Sequence, residues 1–114
     1  PVVVVWYGTP AEIESALNRR KRDGSLAREE ERKARTRLDM LQEAWIEVQP
    51  SVAVRDRALR LLRTHPLRAA DAFQLAASLL VCGEQSKGFI FLTGDLRLRE
   101  ASEAEGFTTC TSNA

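Results

Sequence analysis

The chain has 114 residues, one domain's worth, and its 44% apolar content is enough for a compact core. Its 17 basic and 16 acidic side chains nearly cancel, so neither disorder nor strong polyanion affinity follows from net charge. The aromatics Trp6, Tyr7, Trp45, Phe73, Phe89, Phe91 and Phe107 are too few for a base-stacking platform to be the first expectation.

Val2 to Tyr7 is an unbroken β-branched and aromatic run, which predicts a strand apolar on both faces inside a covered, parallel sheet. Gly8 ends it, Thr9 is a good N-cap, and Pro10 suits the first helical position. The helix that follows puts Ile13, Ala16, Leu17 and the Arg20 stem on one face and stops near Asp23-Gly24. A second helix is predicted from about Ser25, with Glu29, Glu30 and Glu31 early and an apolar stripe of Ala34, Leu38, Leu41 and Trp45. Trp45 to Val48 alternates like a short strand ending at Pro50. Ser51 then caps a third helix with Val54, Ala58, Leu61 and Leu62 toward the core and Arg55, Asp56, Arg60 and Arg63 toward water. His65-Pro66 breaks that helix, and a fourth runs to about Val81. A loop from Gly83 to Gly88 leads to a strand over Phe89 to Leu92, a helix over Asp95 to Glu105 and a last strand over Phe107 to Thr111.

Strands alternating with helices predict a single α/β domain over residues 1–114, three-layered, with a largely parallel central sheet flanked by helices. No repeat or linker interrupts it. The nearly apolar stretch from Ala69 to Cys82 is interrupted by Asp71, Gln74 and Ser78 and is too short to span a bilayer, so no membrane partner is expected.

Composition also removes several chemistries. A single histidine, His65, and two cysteines, Cys82 and Cys110, are too few for the four Cys or His ligands that a structural zinc site wants. A Ser-His-Asp catalyst would have to use His65, and no G-x-S-x-G turn is present. Two thiols without a secretion signal point to a reducing, cytoplasmic setting, with no disulfide expected. Carboxylate chemistry remains.

In open α/β sheets ligands bind at the carboxyl ends of strands, and three acids fall there. Glu12 lies in the first turn of the first helix, with Glu14 as a rival that helix geometry alone does not eliminate. Asp95 follows the Phe89 to Leu92 strand by only Thr93 and Gly94; capping the next helix is its simplest structural role. Asp71 heads a polar stripe with Gln74 and Ser78 on an otherwise apolar helix, where an unpaired carboxylate is costly. Its simplest structural role is an ion pair with Arg68, one turn earlier.

Three stretches resemble the PIN-domain family, and within it the VapC-type toxins of bacterial toxin-antitoxin pairs. They are TPAEIESALNRR (residues 9–20), LRAADAFQLAASL (residues 67–79) and FIFLTGDLRLREASEAEGF (residues 89–107). The resemblance implies that Glu12, Asp71 and Asp95 form an acidic metal site with Thr93 as a supporting hydroxyl, and it favours Glu12 over Glu14. It also implies a Mg2+- or Mn2+-dependent endoribonuclease acting on single-stranded RNA, a cognate antitoxin protein as partner, and a homodimer. One feature departs from the family: PIN domains open with a strand carrying an aspartate in an Asp-x-Ser-type turn, and no such segment precedes Val2. The family pattern therefore leads us to expect roughly 30 further residues, a strand and its connecting helices, before Pro1.

Hard oxygen donors select Mg2+ or Mn2+, and such an ion supplies a nucleophile that this chain's side chains do not. Arginines outnumber lysines 14 to 3, and Arg19, Arg20 and Arg22 lie in one run with Lys21. That run suits a helix C-terminus, contact with RNA phosphates, or pairing with an acidic antitoxin tail. An alternative expectation is a catalytically incomplete PIN-like module that binds RNA or a protein partner. A flavodoxin-like small-molecule domain ranks below both, because no Gly-rich phosphate loop is present.

Overall fold

The computed structural model describes residues 3–93 and 95–110. These residues divide between Val48 and Gln49 into two compact units. The first contains β1 (Val4–Trp6), α1 (Thr9–Arg22), α2 (Arg28–Ala44) and β2 (Ile46–Val48). The second contains α3 (Val52–Thr64), α4 (Ala69–Val81), β3 (Ile90–Leu92), α5 (Leu96–Ala104) and β4 (Thr108–Cys110). Val2 and Thr111, the outer ends of two predicted strands, lie outside the described residues, as do Pro1 and Gly94.

In the first unit β1 and β2 pair in parallel, Val4 opposite Ile46 and Trp6 opposite Val48. Ile46 N–H donates to the Val3 carbonyl at 2.8 Å and Tyr7 N–H to the Val48 carbonyl at 2.9 Å. Alternate residues of β1 therefore turn toward β2, and the Trp6 amide points the other way. Thr9 Oγ1 accepts from that amide at 3.2 Å. This corrects the expected N-cap: α1 begins at Thr9 with Gly8 as its cap residue and no side-chain cap bond, because the hydroxyl serves the end of the strand. Gly8 leaves room for the Trp6 ring, since a Cβ there would come within 2.9 Å of the indole nitrogen.

The second helix starts at Arg28, later than the expected Ser25. Ser25 is spent on closing α1: its N–H meets Asp23 Oδ1 at 2.9 Å and the Arg20 carbonyl at 2.9 Å. Ala27 has no side-chain acceptor, so only half of a capping box forms, Ala27 N–H donating to Glu30 Oε1 at 2.9 Å. Charge joins the two helices. The Arg35 guanidinium grips both oxygens of Glu14, each at 2.9 Å, and reaches Glu31 at 3.1 Å, while Lys21 meets Glu31 at 3.2 Å. The apolar stripe of α2 is only half covered: Ala34, Leu38 and Trp45 are half-buried and Leu41 is exposed. Leu41 and Trp45 line an open cavity of about 550 Å3 with Val3, Met40 and Ala44.

The second unit holds the buried core. Ser51 caps α3 as expected, accepting from Val54 N–H at 3.2 Å. Val54, Ala58 and Leu61 are buried against α4, which contributes Ala72, Leu75, Ala76, Ala77 and Leu79. Leu62, expected in the core, is exposed, since one helical step turns it about 100° away from Leu61. The strands β3 and β4 pair in parallel through the α5 crossover, Ile90 opposite Thr108 and Leu92 opposite Cys110. Phe91 and Phe107 pack with ring centroids 5.5 Å apart, and Leu98 and Ala101 of α5 are buried. Both ladders are parallel, the α/β character that the alternation of elements predicts. Among the described residues they form two separate pairs of three-residue strands rather than one continuous sheet. The Cys82 thiol donates to the Leu79 carbonyl and is in no disulfide. Among the described residues no helix is long and apolar enough to cross a membrane.

Glu105, the residue after α5, ties this unit together. Its carboxylate meets His65 Nε2 at 2.8 Å and Arg57 at 3.0 Å, and Arg57 also reaches Glu84 at 3.0 Å. Burial pushes the Glu105 carboxyl up, but the hydrogen bonds from His65 and Arg57 outweigh it and leave the pKa below the ordinary value. A depressed carboxylate pKa adds stability above the unfolded value, roughly 4.3, which is lost as the pH falls toward the folded value. Denaturant midpoints measured between pH 7 and pH 3 are expected to fall faster for the native chain than for Glu105→Gln. Parallel midpoints would remove this carboxylate from the acid response.

Candidate metal and phosphate site

Two helix starts in the second unit position the acids. The peptide before α4 is extended at Arg68, and Pro66 prevents α3 from continuing, so α4 begins afresh at Ala69 with Asp71 in its first turn. The end of β3 passes through Thr93 to Asp95, which caps α5 by accepting from Leu98 N–H at 3.0 Å. Thr93 Oγ1 accepts from the Asp95 amide at 3.1 Å, a bond that fixes the backbone carrying the carboxylate. Asp71 and Asp95 line one cavity of about 350 Å3 together with Pro66, Arg68, Leu96 and Arg97.

The two carboxylates differ in environment. The Asp71 side chain is 16% exposed and that of Asp95 41%. A single guanidinium lies near both: Arg68 Nε is 3.6 Å from Asp71 Oδ2, and Arg68 Nη2 is 3.9 Å from Asp95 Oδ2. Both separations exceed ordinary hydrogen-bond length, and the Arg68 side chain is 81% exposed. The expected Arg68–Asp71 pair is thus present but loose, and exposed pairs of this kind contribute about 0–1 kcal/mol.

Among the described residues no group of three or more His, Cys, Asp or Glu side chains is gathered as a ready-made cage. Two carboxylates opening on one cavity still fit a hard divalent ion. Mg2+ keeps several waters and is commonly held by one or two carboxylates plus substrate phosphates. The donor set is all oxygen, which suits Mg2+ or Mn2+ rather than a thiophilic metal.

Glu12 belongs to the first unit, half-buried in the first turn of α1. Its rival Glu14 is committed elsewhere. Arg35 foremost, then Asn18, hold the Glu14 carboxyl down to about 2, in a lock between α1 and α2. The basic run ends α1, where it complements the helix dipole. Within it Arg20 is tied back to the Ser25 carbonyl at 2.9 Å, while Arg19 and Arg22 are exposed.

Arg97, and Arg68 in any role beyond pairing with Asp71, escaped the sequence reading. A signal was available: each arginine stands at a helix N-terminus, where a cation opposes the dipole. No curated protein and no solved structure matches the chain. The PIN domain family matches residues 3–104, which include β1, the carboxylate pair, Thr93 and the whole of α5. The chain belongs to the PIN domain family, whose members are in general nucleases that act on nucleic acid with divalent metal ions.

Proposed function

We propose that this protein is a Mg2+- or Mn2+-dependent endoribonuclease that hydrolyses RNA phosphodiesters. The observation that carries the reading is the shared cavity of Asp71 and Asp95 in a PIN-domain chain. Asp71 and Asp95 would hold the divalent ion directly or through water, and Thr93 would keep Asp95 in place through its amide. Glu12 would bind the metal or orient the attacking water. When bound, the ion lowers the pKa of a coordinated water and stabilises charge on the scissile phosphate. Arg19, Arg20 and Arg22 would contact RNA phosphates or an acidic partner segment.

The finer reading is the toxin of a VapBC-type pair, working in the cytoplasm as a homodimer and held in check by a cognate antitoxin. Its support is the resemblance of the three sequence stretches to VapC-type toxins, and the Cys82 thiol suits a reducing compartment. The test is cleavage of single-stranded RNA by the full-length protein in Mg2+ and in Mn2+, with an EDTA control. Cleavage that needs the metal is the expected result. RNA binding without cleavage would favour the second reading, a PIN-like binding module. That reading draws on the presence of two, not three, gathered carboxylates among the described residues.

A further inference from the structure

The cavity of Asp71 and Asp95 is lined by two arginines as well, Arg68 and Arg97. Arg68 occupies the N-cap of α4, a position where Ser, Thr, Asp or Asn would stabilise the helix, and it makes no cap bond there. Arg97 is the second residue of α5 and lines the same cavity. A basic residue in either place works against the positive end of its helix. Neither side chain is buried, so packing does not explain them. Together with the two helix N-termini they give the cavity a region suited to an anion beside the carboxylates suited to a cation.

We propose that Arg68 is a positioning residue with two stations. Without a divalent ion it is the loose counter-cation of Asp71 and Asp95. With an ion on those carboxylates it turns to an RNA phosphate, alongside Arg97. Three observations support this. One guanidinium spans both acids, at 3.6 and 3.9 Å. Its bonds are too long to hold it firmly, and its exposure lets it swing without leaving water. The planar guanidinium fork matches a phosphate as well as it matches a carboxylate. The inference rests on the nuclease reading above and adds a role to a residue outside the acidic set.

The experiment uses the full chain and three variants: Arg68→Gln, Arg68→Lys and Arg97→Gln. Mn2+ affinity is measured by calorimetry. Binding of a phosphorothioate-linked single-stranded RNA in Mn2+ is measured over a salt series. Removing the competing cation in Arg68→Gln is expected to tighten Mn2+ binding about two- to fivefold. The same variant is expected to weaken RNA binding and lower its salt slope by about one, as is Arg97→Gln. Arg68→Lys keeps the charge and is expected to retain the native salt slope. A merely structural role would leave that slope unchanged. Unchanged or weaker Mn2+ binding in Arg68→Gln, or an unchanged salt slope, overturns the role of Arg68 while the nuclease reading stands. If neither the native chain nor Arg68→Gln binds Mn2+, the cation site falls and this inference falls with it.

Discussion

Asp71→Asn and Asp95→Asn are each expected to reduce divalent-ion-dependent RNA cleavage about a hundredfold or more, with the fold intact. Asparagine keeps the shape of the side chain and removes the charge that a hard cation requires. At Asp95 the amide oxygen can still accept from Leu98 N–H, and Asn is as good an N-cap as Asp, so α5 keeps its start. At Asp71 the substitution gives up only a loose pair with an exposed arginine. Initial cleavage rates beside thermal melts separate the two effects. Full activity in either variant would show that the site is misplaced, and a collapsed melt would show that the carboxylate is structural.

Leu75→Ala is expected to cost about 2–5 kcal/mol of stability. Leu75 is 0% exposed on α4, among alanines that leave little slack for neighbouring side chains to fill a void. Against the roughly 5–15 kcal/mol typical of a whole domain, such a loss leaves little margin. Because α4 also carries Asp71, the variant should lose activity at temperatures well below the native melting point yet keep it in the cold. Urea midpoints and cleavage rates measured across temperature check both parts. A midpoint shift below the range of a single surface substitution would mean that the packing around Leu75 relaxes to fill the gap.

Much of the local structure is legible because short-range chemistry decides it. Ser51 caps α3 and Asp95 caps α5 because each places an oxygen where orphan amides lie, a feature visible as residue type and spacing. Pro66 and the positive-φ Gly24 mark helix ends for equally local reasons. Thr9 shows where that logic stops. Its hydroxyl serves the strand amide that the direction of the β1–β2 ladder leaves unpaired, not the first turn of α1. Ser25 went the same way, drawn into the close of α1 instead of opening α2. Leu62 was misplaced because a helix face has a width that periodicity does not state.

The sequence by itself determined the element order, the parallel α/β character, the apolar face of α4 and the short list of acids available for chemistry. These depend on residue type and spacing, which the chain carries in one dimension. Tertiary structure decided the rest. It committed Glu14 to Arg35, brought Asp71 and Asp95 to one cavity across 24 positions of chain, and set Arg68 between them. A hydrogen-bonded ion pair forms only at contact distance, so which acids stay available depends on neighbours that only the folded chain supplies.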